Sequence, residues 1–145
     1  MSLLLGGLGA AALAAASARW NWWRPRATGV PVLMYHRIGD PPPGSRLAKL
    51  WVSPSDFRRQ LETALALGYE PVFASRLSEP ASLPAKPLAV TFDDGTEDNF
   101  TAAFPILRGL GVKATVFLVA GWMGRRNGWE DPAVEAWQRT LTWEQ

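Results

Sequence analysis

The residues of this chain best suited to chemistry stand side by side in Thr91-Phe92-Asp93-Asp94-Gly95. The preceding run, LAVTF from Leu88 to Phe92, is short and apolar and reads as a buried strand. Folds of the α/β class place their ligand crevices at the C-terminal ends of such strands. Adjacent side chains along a regular strand point to opposite faces, but past its end a turn through Gly95 can bring both carboxylates into one pocket. Two carboxylates that close repel each other, so both stay ionised only beside a compensating cation. A divalent metal meets that need: one Asp binds the ion while its neighbour takes a proton from the bound water. The competing reading is structural. Asp-Gly is a common turn pair, and Asp94 with Glu97 three residues later can cap a following helix. On local pattern alone that reading is the stronger of the two.

The elements that must position the acidic pair follow from the apolar patterning. Pro31 to Ile38 (PVLMYHRI) reads as a strand buried on both faces, followed by the turn cluster GDPPPG. Ser53 is a good N-cap with Pro54 at the first helical position and Asp56 placed as a capping-box acid. Phe57, Leu61, Ala64 and Leu65 follow at helical spacing, and Gly68 supplies a left-handed C-terminal cap. Tyr69 to Phe73 is expected as a short strand. From Glu97 to Leu110 the residues Phe100, Ala103, Phe104, Leu107 and Leu110 share a helical face, with Pro105 giving a kink or opening a second helix. Gly111 closes it, and Lys113 to Ala120 (KATVFLVA) is a further strand. Strand, helix and strand in succession imply right-handed crossovers and a parallel sheet or barrel. His36, at the end of the first strand, is placed to line the same pocket as Asp93 and touch substrate, or else is structural or solvated.

Residues 1–28 are set apart from the domain at 29–145. No charged side chain occurs from Ser2 to Ala18, and Trp20, Trp22 and Trp23 lie among Arg19, Arg24 and Arg26. This is the pattern of a membrane anchor or signal segment, near the lower length for crossing a bilayer, which is roughly 17 residues. The chain is therefore expected to be exported or membrane-anchored, its domain facing the cell envelope or exterior. The basic residues, however, follow the apolar run, an order that favours a cytoplasmic domain. An apolar fraction of 48% argues for a packed body rather than disorder. A net charge of +2 with scattered Lys and Arg gives no surface for nucleic acid, and without Cys there is no disulfide framework or thiolate chemistry.

The stretches PLAVTFDDGTEDNF and PILRGLGVKATVFLV resemble the polysaccharide deacetylase family, carbohydrate esterase family 4, and PVLMYHRI looks like the opening strand of its secreted members. The resemblance covers roughly Val30 to Gln145. It implies the N-terminal portion of a distorted (β/α) barrel with its site at the strand C-terminal ends. Asp93 would be the general base and Asp94 a ligand of a divalent metal, zinc by that resemblance. The reaction implied is hydrolysis of N-acetyl groups on an amino-sugar polysaccharide. The family completes its metal site with two histidines on a following segment and protonates the leaving amine with another. This chain has one histidine in total, His36. The final LTWEQ resembles the start of the element before that histidine motif, so a partial sequence is expected, with a His-[Ser/Thr]-x-x-His segment further on and little activity from these residues alone.

Among the remaining aromatics, Trp122 and Trp129 fall in a loop after a strand end and are the best placed to stack on sugar faces. A phosphatase of the haloacid dehalogenase type would need one residue between its aspartates, and a calcium loop would need acids at alternate positions. Neither pattern is present. A membrane-tethered glycan-binding domain without catalysis and an acyl-ester hydrolase remain as alternatives.

Overall fold

The computed structural model describes residues 15–17 and 28–145. Most of the apolar N-terminal segment thus lies outside the described residues, Ala15, Ala16 and Ser17 being helical. Among the described residues no helix is long and apolar enough to cross a membrane.

The domain is built on a parallel sheet. Strand β1 (Val32–Tyr35) pairs with β5 (Pro87–Phe92), in register Leu33 with Val90 and Tyr35 with Phe92. The other edge of β5 is shared. Strand β4 (Glu70–Val72) pairs with its first half, and β6 (Thr115–Val116) pairs with Thr91 and Phe92. A second, two-stranded parallel ladder joins β2 (Arg37–Ile38) to β3 (Trp51–Val52). All four pairings among these strands are parallel, which bears out the expected α/β class.

Helix α1 (Pro54–Ala66) begins as its sequence requires. The Ser53 hydroxyl accepts a hydrogen bond from the Asp56 amide at 3.1 Å, and Pro54 fills the first turn, where its missing N–H leaves no donor lost. Past the helix end Gly68 takes φ +80°, the left-handed conformation a side chain would oppose. The helix lays Phe57 and Leu61, both fully buried, onto the sheet face formed by Tyr35, Leu88, Val90 and Phe92. Helix α2 (Phe104–Leu110) adds Ile106 and Leu107 to this core, and Gly111 closes it at φ +66°.

Three expectations are corrected. The first strand breaks at His36 into β1 and β2 and is buried on one face only, Val32 and Met34 being exposed. Helices cover a single side of the sheet, and alternate residues face opposite sides. The last strand is two residues long rather than eight. β5 is its ladder partner and turns away after Phe92, so beyond the Phe117 amide, which donates to the Phe92 carbonyl at 2.8 Å, the ladder has no backbone to pair with. Pro105 does open a second helix, in the first turn of α2, but the shared helical face changes, because the segment before α2 is a π-helix (Asn99–Ala103). Its wider turn shifts the angular period away from 3.6 residues. Phe100 and Phe104 therefore leave the buried face and stack on each other outside, centroids 5.6 Å apart, while Ala103 and Leu107 stay inside.

Candidate active site

β5 delivers Asp93 at its C-terminal end, next to the end of β1. The Asp93 amide donates to the Tyr35 carbonyl at 2.9 Å, so the two strand ends are tied where the carboxylate emerges. His36 follows Tyr35, and its Nε2 lies 3.9 Å from Asp93 Oδ2. Both side chains are partly open to solvent, at 21% and 34%. The structure thus places His36 and Asp93 side by side.

Asp94 and Gly95 turn the chain sharply, with φ +70° and +62°. Asp94 is the one non-glycine among the described residues with positive φ, a conformation Asp tolerates better than most side chains but at some cost. A Cβ on Gly95 would lie 2.5 Å from the tip of the Leu118 side chain, which would have to shift, and the positive φ itself opposes any side chain there. The capping alternative is not realised: the helix that follows begins at Asp98 and Asn99 without a side-chain cap bond.

The residues after the turn instead hold His36 in place. Asn99 Nδ2 and Thr96 Oγ1 donate to the His36 carbonyl at 3.0 and 3.3 Å. Asp98 Oδ1 accepts from the Ile38 amide at 2.7 Å. These three residues give the sequence-level reading no signal, because their partners are backbone atoms sixty residues away. Burial raises the Asp98 carboxyl above its ordinary range, against the lowering effects of the Ile38 amide, Thr96 and the charge of Arg37. A raised folded-state value means that the ionised form carries a penalty at neutral pH, which disappears as pH falls through that value. Asp98→Asn keeps an acceptor for Ile38 and removes the charge. Thermal melts should show it at least as stable as wild type at neutral pH, with any advantage closing in acid.

The loop after β6 completes the surroundings. Residues 139–141 run antiparallel to 95–97, with the Leu141 amide donating to the Gly95 carbonyl and the Glu97 amide to the Arg139 carbonyl, each at 2.8 Å. Trp122 packs edge-to-face on Trp129 at 5.8 Å, and its ring occupies the space a Cβ would need at Gly128. Thr140 Oγ1 donates to the Trp122 carbonyl at 2.5 Å, and Thr140 is itself bridged to Thr96, two residues beyond Asp94. The Trp loop is therefore fastened to the acidic turn.

A metal of the kind the resemblance implies was weighed against these donors. Among the described residues no group of three or more His, Asp or Glu side chains gathers to hold an ion. With one histidine in 145 residues, the pair of histidine ligands that the resemblance implies cannot come from these residues. The donors present fit part of such a site and not the whole.

A parallel α/β sheet ending in an acidic pair beside a histidine defines an α/β domain with its polar site at the strand C-terminal ends. Residues 81–141 match the family model described as Polysaccharide deacetylase. The chain is 30% identical over 102 residues to YxkH of Bacillus subtilis (strain 168), named for that same family; the match covers 68% of this chain and 34% of YxkH. It is 29% identical over 99 residues to the poly-β-1,6-N-acetyl-D-glucosamine N-deacetylase of Escherichia coli (strain K12), covering 66% of this chain and 14% of that protein. Among solved structures it resembles IcaB from Ammonifex degensii with a TM-score of 0.63 and 31% identity, over 82% of this chain and 47% of IcaB. By these matches the chain is similar to the polysaccharide deacetylase family, and it spans half or less of the length of these relatives.

Proposed function

We propose that this chain contributes the acidic half of the active site of a metal-dependent N-deacetylase acting on an amino-sugar polysaccharide. The observation that carries the reading is the placement of Asp93 against His36 at the joined ends of β1 and β5, in a chain similar to this family. In the proposed reaction water adds to the acetyl carbonyl, Asp93 accepts its proton, and the C–N bond breaks to give acetate and a free amine. His36 lies close enough to orient the Asp93 carboxylate or to meet the substrate. Asp94 is the metal ligand these residues supply; the histidine ligands and the acid that protonates the amine are not among them. Zinc is the metal proposed, and the sheet is proposed as part of a distorted barrel. The exposed Trp122 is offered to a sugar face, where its apolar ring can cover a pyranose. The uncharged run before Trp20, Trp22 and Trp23 supports an exported or membrane-anchored protein facing the cell envelope.

The test uses the protein that carries the complete domain, supplied with β-1,6-linked N-acetylglucosamine oligomers. Acetate release should vanish with chelator and return with zinc. Release that persists through exhaustive chelation removes the metal from the proposal. A glycan-binding domain without catalysis would show oligomer binding that survives both chelator and Asp93→Ala, and an esterase would release acetate from O-acetylated oligomers alone.

A further inference from the structure

Whereas His36 is partly open to solvent, its neighbour Arg37, the first residue of β2, is fully buried. Its Nη2 donates to Glu130 at 2.5 Å, and its Nη1 lies 3.8 Å from Glu135, which is equally buried. Its guanidinium also sits 5.5 Å from the Trp51 ring centre, on the neighbouring strand β3. Both glutamates belong to the loop 126–138, reached across more than ninety residues of chain. The Glu130 carbonyl accepts the Trp137 indole N–H at 3.1 Å, and Trp129 precedes Glu130 directly. One cation thus joins the histidine-bearing strand to the segment that carries two exposed tryptophans.

Packing alone does not call for such an arrangement. Burying three ionised groups costs desolvation that their attraction barely repays, and apolar residues of similar volume hold a core equally well. What an ion cluster adds is one allowed register between the segments it joins. The Nε and Nη1 atoms of Arg37 make no hydrogen bond, so the cluster is not arranged for greatest stability.

We propose that Arg37 is a positioning residue, its buried guanidinium setting loop 126–138, and with it Trp129 and Trp137, in one register against the strand that follows His36. This rests on the saccharide reading above. It deepens that reading by making the placement of these exposed tryptophans depend on a residue that touches no substrate.

Two variants of the protein carrying the complete domain test it. Arg37→Lys keeps the charge but cannot fork to both glutamates. The triple replacement Arg37→Met, Glu130→Leu and Glu135→Leu keeps volume and strands no charge, so it is expected to fold where a single neutral replacement leaves a buried charge unpaired. Because it also removes the acceptors of Ser45, Leu47 and Asn127, Arg37→Lys, which keeps both glutamates, must change binding and cleavage in the same direction. Dissociation constants for β-1,6-linked N-acetylglucosamine oligomers are read by tryptophan fluorescence, and loop release by tryptic cleavage after Arg125 and Arg126. In the triple variant the thermal midpoint should stay near wild type. Oligomer binding should weaken by about tenfold, in line with the cost of a misplaced binding group, and cleavage should accelerate by a similar factor. KM should rise in both variants with little change in kcat. A folded triple variant with wild-type binding overturns the proposal, as does weakened binding without faster cleavage. Because fluorescence needs no turnover, a wild type that binds oligomers but releases no acetate sinks the deacetylase reading and leaves the clamp to be judged on binding.

Discussion

Asp93→Asn, in the protein carrying the complete domain, is expected to lower deacetylation by about a hundred- to ten-thousand-fold, the usual contribution of a positioned general base. The thermal midpoint should hardly move. What fixes this position is the backbone: the Asp93 amide bonds to Tyr35, and β5 is held on both edges by β1, β4 and β6. The side chain itself is a third exposed and, among the described residues, approaches one ionisable partner, His36, at a separation too long for a hydrogen bond. Asn has the same shape and keeps an acceptor, so oligomer binding should persist while turnover is lost. Catalytic contacts in ligand-free sites are often long and tighten with substrate, so 3.9 Å does not argue against the pair. Measured kcat within about threefold of wild type would remove Asp93 from the base role, since such a change is far below the range above.

How much of this could be read from the chain alone depends on whether the cause was local. Ser53, Pro54 and Gly68 fix the ends of α1 through contacts within a few residues, and each behaves as its type requires. The core face of β5 was legible because apolar residues bounded by turn signals leave few other options. The acidic stretch was legible as a turn through Gly95, but not the left-handed conformation that Asp94 shares with it. The helix after it was misjudged because a 3.6-residue period was applied where the π-helix runs wider, which turned Phe100 and Phe104 outward. The polar supports of His36 and the buried ions around Arg37 were invisible for another reason. They join positions about sixty and ninety residues apart, and nothing in the local pattern of Asp98, Asn99, Glu130 or Glu135 announces a distant partner.

The packing beneath the site leads to the largest expected loss of stability. Phe57 is fully buried, its ring edge-on to Tyr35 at 4.9 Å and to Phe92 at 5.7 Å. Tyr35 and Phe92 are the residues immediately before His36 and Asp93, and their own rings lie 5.6 Å apart. One aromatic side chain of α1 therefore supports both strand ends from which the polar residues emerge. Phe57→Ala removes its contacts and leaves a cavity that neighbouring β-strands cannot close, a change that typically costs about 3–5 kcal/mol. Tyr35 is also held from above, its hydroxyl donating to Gln60 at 2.7 Å, so the ring cannot simply tip into the space without giving up that bond. Denaturant melts should show the loss at the midpoint, with the slope little changed if the native state stays compact. Phe57→Leu, which refills most of the volume, should recover the larger part. Near-wild-type stability of the alanine variant would mean that α1 shifts to fill the gap. In that case the support of His36 and Asp93 would come chiefly from the backbone bond between Asp93 and Tyr35 and from the side chains of Thr96, Asp98 and Asn99.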